Sequence, residues 1–167
     1  MIVVSDTSPI NYLALIGAED LLGALFGEVV IPSSVFAELS DAGAPPEVRR
    51  LLNRRPDWMR IVTPGAGHRP GLDLLDQGER DAILIAIELK AGLVLIDELR
   101  GRKAAEMLGL AVTGTVGLIE RAVREGLADG AGIAARLRKT SFRVAPSLLA
   151  RIEEAAAGRE KDPGTPD

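Results

Sequence analysis

ERDAILIAIELKAGLVLID, residues 79–97, reads as a helix, a stop and a buried strand in immediate succession. Glu79–Lys90 carries Ala82, Ile83, Leu84, Ile85, Ala86 and Ile87 around its circumference, which predicts a helix covered on nearly all sides. Gly92 is its stop, and Leu93–Ile96 is the kind of short apolar run found in parallel strands buried on both faces. Asp97 follows at once, a carboxylate at the end of a core strand.

The same alternation continues outward in both directions. Ile2–Ser5 predicts a strand and Ser8–Ile16 a helix, with Ser8 as N-cap, Pro9 at the first helical position and Gly17 as the stop. Leu21–Phe26 predicts a short helix closed by Gly27, and Glu28–Ile31 a strand. Pro32 then leads into a helix over Ser33–Leu39 with Ser33 or Ser34 as cap. Pro45–Arg55 is a further helix and Arg60–Thr63 a strand, followed by an exposed Gly/Pro-rich loop, Pro64–Gly71, that contains His68. Downstream, Gly101–Leu108 predicts a helix and Ala111–Val112 a strand. Thr113-Gly114-Thr115 opens a helix to Arg124, and further helices lie near 129–139 and 146–157, separated by an extended Phe142–Val144. Residues 158–167 are polar with two prolines and predict a disordered tail. Strands alternating with helices imply one domain over residues 1–157, a three-layer α/β/α fold with a central, mainly parallel sheet.

Composition narrows the chemistry. The 167 residues contain no cysteine and a single histidine, His68, which excludes thiolate zinc sites and leaves nothing for His-based metal clusters or a Ser-His-Asp triad. No apolar run reaches membrane-spanning length and no signal-like leader opens the sequence, so a cytoplasmic protein without a membrane partner is expected. A formal net charge of −4 leaves no overall basic field for nucleic acid, although Arg49, Arg50, Arg54, Arg55 and Arg60 form a local cluster.

Ligands in such folds bind beyond the carboxyl ends of the strands. Asp6 follows the first strand and Asp97 follows Leu93–Ile96, so both fall on that edge. Glu38 lies about 60° around its helix from the buried Val35, at the border of the apolar stripe. Glu79 opens the apolar helix at the same edge if that helix runs antiparallel to the strands. Taken singly, each acid has a plainer reading: Asp6 a turn or cap residue, Glu38 a solvated one, Glu79 a partner of the helix dipole, Asp97 part of an ordinary turn. Taken together, four carboxylates at one edge repel unless a cation collects them. An all-oxygen donor set fits Mg²⁺ or Mn²⁺, ions that can activate a water for attack on a phosphodiester. Asp81 is a rival to Glu79 but lies about 200° away around the helix, and Glu98 is a supporting candidate. Arg100 and Arg102 could hold an RNA backbone and the N–H and hydroxyl of Thr115 a phosphate, with Ser8 a further secondary candidate. A receiver-type phosphoacceptor domain would want paired acids at the first strand, and a dinucleotide site would want glycines there; Ser5-Asp6-Thr7-Ser8-Pro9 supplies neither.

The blocks VVSDTSPINYLALIG (3–17), VVIPSSVFAEL (29–39), LDQGERDAILIAIELKAGLVLIDELRGRKAAEMLGLAVTGTVGLIERAVREGL (75–127) and FRVAPSLLARI (142–152) together resemble the PIN-domain ribonucleases, in the branch called DUF3368 that includes toxin-type proteins. The resemblance covers most of the chain outside residues 40–74 and the tail. It implies a PIN fold and Mg²⁺- or Mn²⁺-dependent cleavage of RNA, with Asp6, Glu38, Glu79 and Asp97 as the acidic set. It also implies a homodimer and, for toxin-type members, a small antitoxin partner. The alternative function is a catalytically weak PIN-like module that binds RNA or a protein and acts by occupancy.

Overall fold

The computed structural model describes residues 1–140 and 146–161. The expected extended segment Phe142–Val144 and residues 162–167 of the expected tail lie outside the described residues. By contact the chain divides into two compact units, Met1–Thr115 and Val116–Asp167.

The first unit runs β1 (Val3–Ser5), α1 (Thr7–Leu15), α2 (Asp20–Phe26), β2 (Val29–Pro32), α3 (Ser33–Leu39), α4 (Pro46–Arg54), β3 (Met59–Val62), α5 (Gln77–Glu88), β4 (Leu93–Leu95), α6 (Leu99–Met107) and β5 (Val112–Thr113). The strands form one sheet in the order β3-β2-β1-β4-β5, and every pairing is parallel. The expected α/β/α architecture is therefore the one observed, with a sheet that is parallel throughout rather than mainly so.

Register sets the core. Val4 pairs with Val30 on one side and Val94 on the other, so three β-branched side chains line up across the middle of the sheet. They join Ala82, Ile83, Leu84, Ile85 and Ala86 of α5 in one buried cluster. Because β3 lies at one edge and β4 on the far side of β1, the β3-to-β4 connection has to cross the sheet, and α5 touches β1, β2 and β4 on the way. That crossing explains why α5 has no polar face over residues 82–86. Leu72 and Leu75, just after the exposed loop, fold back into the same cluster.

Several boundaries differ from the sequence expectation for local reasons. Helix α1 begins at Thr7, with Asp6 rather than Ser8 at the N-cap position, because the Asp6 backbone N–H is still tied to the Leu95 carbonyl at 3.0 Å. The Asp6 side chain makes no capping bond. Ser33 and Ser34 lie inside α3, whose N-cap position is Pro32, the last residue of β2. Helix α5 starts earlier than expected, from an Asp76 cap, and ends at Glu88 with Lys90 in a left-handed conformation (φ 52°), ahead of the expected stop at Gly92. Phe36 and Tyr12, which look like core residues in sequence, are only half-buried.

The second unit holds α7 (Thr115–Arg124), whose first residue closes the first unit, α8 (Gly130–Arg138) and α9 (Pro146–Lys161). Helix α9 passes the expected boundary at residue 157 and runs to Lys161. Arg138 donates to Glu153 at 2.5 Å and Arg151 to Glu120 at 2.5 Å, pairs that tie the three helices to one another. Gly130 lets α8 begin tightly against α9, since a Cβ there would sit 2.9 Å from the Ile152 carbonyl oxygen.

If α5 is the element that organises the sheet, truncation at its centre is costly. Ile85→Ala is expected to lower unfolding stability by about 2–5 kcal/mol in urea titration, and an unchanged midpoint would overturn this account of the core.

Candidate metal centre

The sheet order reverses direction between β1 and β4, and this switch point is where a parallel sheet opens a crevice at its carboxyl edge. Ser5 pairs with Leu95, so Asp6, one residue past that pair, and Asp97, two past it, both leave the sheet at its carboxyl edge. Helix α5 brings Glu79 to the same place in its first turn.

Each carboxylate is held differently. Asp6 is 4% exposed and its Oδ1 is buried with no hydrogen-bond partner. Burial pushes its pKa up to about 7; the charges of Asp76, Glu79 and Glu38 add to the rise, and the Thr7 backbone N–H opposes it. Glu79 is 3% exposed and belongs to a reciprocal cap: its backbone N–H donates to Asp76 Oδ1 at 2.9 Å, and its Oε2 accepts from the Asp76 N–H at 3.3 Å. Its Oε1 is left buried without a partner. Burial raises the Glu79 pKa, the charges of Asp76 and Glu98 raise it further, and Arg100 works against them. Asp97 is likewise raised by burial, but both its oxygens are occupied. Oδ1 accepts from the Thr115 N–H at 2.7 Å and Oδ2 from the Thr115 hydroxyl at 2.6 Å, and these bonds and the charge of Arg102 pull its pKa back down.

Glu38 is exposed, and its Oε2 accepts from the Thr7 hydroxyl at 2.7 Å, next to Asp6 in sequence. It lines a cavity of about 460 Å³ together with Ser34, Ala37, Asp76, Gln77 and Gly78. Ser8 lines a neighbouring one of about 270 Å³ that also includes Thr7, Asn11 and Glu38. Asp81 is 8% exposed but turns to α3, where its Oδ2 accepts from the Ser34 hydroxyl at 2.5 Å. The acids whose charges act on Asp6 are Asp76, Glu79 and Glu38, so Glu79 rather than Asp81 shares its surroundings.

The fit of this set to a cation is uneven. Two buried carboxylate oxygens without donors, Asp6 Oδ1 and Glu79 Oε1, are costly as they stand and suit a hard cation that would collect them. Yet among the described residues no group of three or more His, Cys, Asp or Glu side chains is arranged to hold an ion. Thr115 occupies Asp97 and Thr7 occupies one oxygen of Glu38. Asp6 and Glu79 therefore each keep one acceptor oxygen for a metal, Glu38 keeps its second oxygen, and Asp97 could join only on giving up a bond to Thr115.

Residue-type reasoning overlooked a second layer. A Cβ on Gly78 would sit 2.8 Å from Asp6 Oδ1, one on Gly101 2.6 Å from Glu79 Oε1, and one on Gly114 2.6 Å from Asp97 Oδ1. Asp6, Glu79 and the half-buried Asp97 thus each have a glycine against one oxygen, and the missing side chain leaves that oxygen its space. Gly101 carried a signal, because a glycine inside a helix costs about 1 kcal/mol relative to alanine and so needs a reason. Asp76 was also overlooked, although Asp76-Gln77-Gly78-Glu79 has the spacing of a capping box.

Two outcomes follow from this geometry. In metal-free protein the native state holds its Asp6 proton up to about pH 7 while the unfolded chain loses it near 3.8. The unfolded state therefore binds fewer protons across that window, and stability falls as pH rises through it. Asp6→Asn is expected to flatten that decline in urea titrations with EDTA from pH 4 to 8, and an unaltered slope would contradict the burial argument. Gly101→Ala should lower the melting temperature even though helix propensity alone favours alanine; a rise would show that Glu79 has room to spare.

Comparison with curated proteins and with solved structures found no match. The family model described as DUF3368, a PIN domain, matches residues 2–157. With its parallel sheet, its switch-point acids and a match over nearly its whole length, the chain belongs to the DUF3368 branch of the PIN-domain family and has a nuclease-like fold.

Proposed function

We propose that the protein is an endoribonuclease dependent on Mg²⁺ or Mn²⁺, hydrolysing RNA phosphodiester bonds at the carboxyl edge of the sheet. The observation that carries this reading is the pair of buried, unpartnered carboxylate oxygens, Asp6 Oδ1 and Glu79 Oε1, at the switch point of a PIN fold.

Asp6 and Glu79 would hold the ion directly, with Asp97 and Glu38 completing the set. When bound, such an ion supplies charge neutralisation for the phosphate and activation of a water for in-line attack. The remaining work falls to the chain. Asp6, with its pKa near neutrality, exchanges its proton for a cation at little cost around pH 7. Thr115 fixes the orientation of Asp97 through two hydrogen bonds, and Thr7 steadies Glu38. Arg102, whose charge reaches Asp97, and Arg100, whose charge reaches Glu79, would meet phosphate oxygens entering the same edge.

A second reading, a PIN-like module that binds RNA or protein without cutting it, is favoured by the full commitment of both Asp97 oxygens to Thr115. Melting curves and cleavage assays on the same protein separate the two. The nuclease reading expects Mn²⁺ at about 100 times its dissociation constant to add about 2.7 kcal/mol of stability. It also expects cleavage of end-labelled RNA that EDTA abolishes and that Asp6→Asn lowers by more than about 100-fold. Stabilisation by Mn²⁺ with intact RNA would favour the binding module. Cleavage by Asp6→Asn at the wild-type rate would remove the assigned site.

A further inference from the structure

The arginines of residues 49–60 do not behave alike. Arg50 pairs with Glu47 at 3.7 Å, Arg54 with Asp20 at 2.8 Å and Glu19 at 3.3 Å, and Arg60 with Glu28 at 3.3 Å. Arg49 and Arg55 have no acidic partner among the described residues, and both line one concavity of about 380 Å³ with Phe36, Ser40, Leu52 and Asn53. Charges in a protein of net charge −4 are readily neutralised from within, so two neighbouring guanidinium groups left over in one groove call for an external anion.

The backbone reinforces this. Arg55 ends α4 in the left-handed region, φ 46° and ψ 68°, a strained conformation for a residue with a side chain. Held that way, its guanidinium lies 4.7 Å from the centroid of the Phe36 ring. One face of the guanidinium is thereby covered, while its edge keeps N–H donors for phosphate oxygens and its outer face is a flat platform. Unstacked RNA bases rest on such planes. Phe36 is on α3, the helix that carries Glu38, and two residues along a helix turn about 200°, so this groove and the acidic crevice lie on opposite flanks of α3.

We propose that the α3–α4 groove is a subsite for single-stranded RNA, in which Arg49 and Arg55 take successive phosphates and a base stacks on the outer face of Arg55. It deepens the nuclease reading and rests on it for the choice of RNA: the strand would cross α3 between groove and acidic edge. The cationic groove would anchor a polyanion that the acids on the other flank repel until a cation is bound.

Binding is measured with the full chain in EDTA, by fluorescence anisotropy of a labelled single-stranded oligoribonucleotide over a range of salt concentrations. Arg49→Ala/Arg55→Asn, with asparagine chosen because it tolerates the left-handed backbone, is expected to raise Kd roughly tenfold. The logarithmic salt slope should fall by about 1.4, the value for two phosphates of a single strand. Arg50→Ala, which removes a paired charge nearby, should change Kd less than about twofold. Arg55→Lys, which keeps charge and fold but loses the plane, should fall between. Equal losses for Arg50→Ala and the double variant would overturn the subsite, as would Arg-dependent binding of polyglutamate in place of RNA, which would make the groove a site for an acidic protein segment. Because the readout needs neither metal nor cleavage, binding that does not depend on Arg49 and Arg55 while cleavage is intact defeats the subsite alone, and Arg-dependent binding without any cleavage defeats the nuclease alone.

Discussion

The crossing of α5 over the sheet is the constraint on which the rest depends. A chain that orders its strands 3-2-1-4-5 must carry the β3-to-β4 connection past β2 and β1, and the helix doing so is walled in by sheet on one side and by other elements around it. Its residues Ala82–Ala86 are buried for that reason, and the register Val30–Val4–Val94 supplies the surface they rest on. Such a helix must start at one edge of the sheet, and Asp76 provides the cap that starts it there. The placement of Glu79 at the switch point is a by-product of that geometry.

The same geometry makes the acidic edge costly. Asp6 is held inside, because its backbone is tied to Leu95 and its Oδ1 lies buried against Gly78. The upward shift of its pKa expresses that confinement in proton affinity. Hydroxyl and backbone donors relieve Asp97 and half of Glu79, while Asp6 Oδ1 and Glu79 Oε1 have no donor. The glycines at 78, 101 and 114 belong to the same design: each withholds a methyl group from the oxygen of one acid, and at 78 and 101 also from the neighbouring Val35 and Ile96 side chains, at a cost in backbone entropy.

How much was legible in the sequence follows from the range of each interaction. Strand and helix order was legible because apolar period, Gly stops and Pro starts are local signals, and the placement of Asp6 and Asp97 followed from strand ends alone. Helix caps were less so: Ser8-Pro9 has the usual form of a helix start, but the bond from Asp6 to Leu95, a residue distant in sequence, fixes where β1 ends and so where α1 begins. The preference for Glu79 over Asp81 agrees with helical phase, which the sequence contains. The hydroxyl partners, Thr115 on Asp97, Thr7 on Glu38 and Ser34 on Asp81, were not legible, since they join segments that only the folded sheet brings together. Nor was most of the sorting of the arginines: Arg50 pairs within α4, but Arg54 and Arg60 meet acids at the start of α2 and just ahead of β2 that only the fold brings beside them.

That sorting bears on how a net-negative protein can handle a polyanion. Helix α3 separates two surfaces of opposite character: one flank presents Glu38 toward Asp76 and Gly78, the other presents Phe36 beneath Arg55. A helix is only about 10 Å across, comparable to the Debye length at physiological ionic strength, so the field of one flank is attenuated but not lost at the other. Pairing Arg50, Arg54 and Arg60 with acids cancels the diffuse part of the basic field and leaves its localised part at Arg49 and Arg55. On the proposed reading, attraction would be confined to a groove with an aromatic floor, which would favour an extended strand with exposed bases over a stiff duplex, and the acidic flank would admit phosphate only once its charge had been offset.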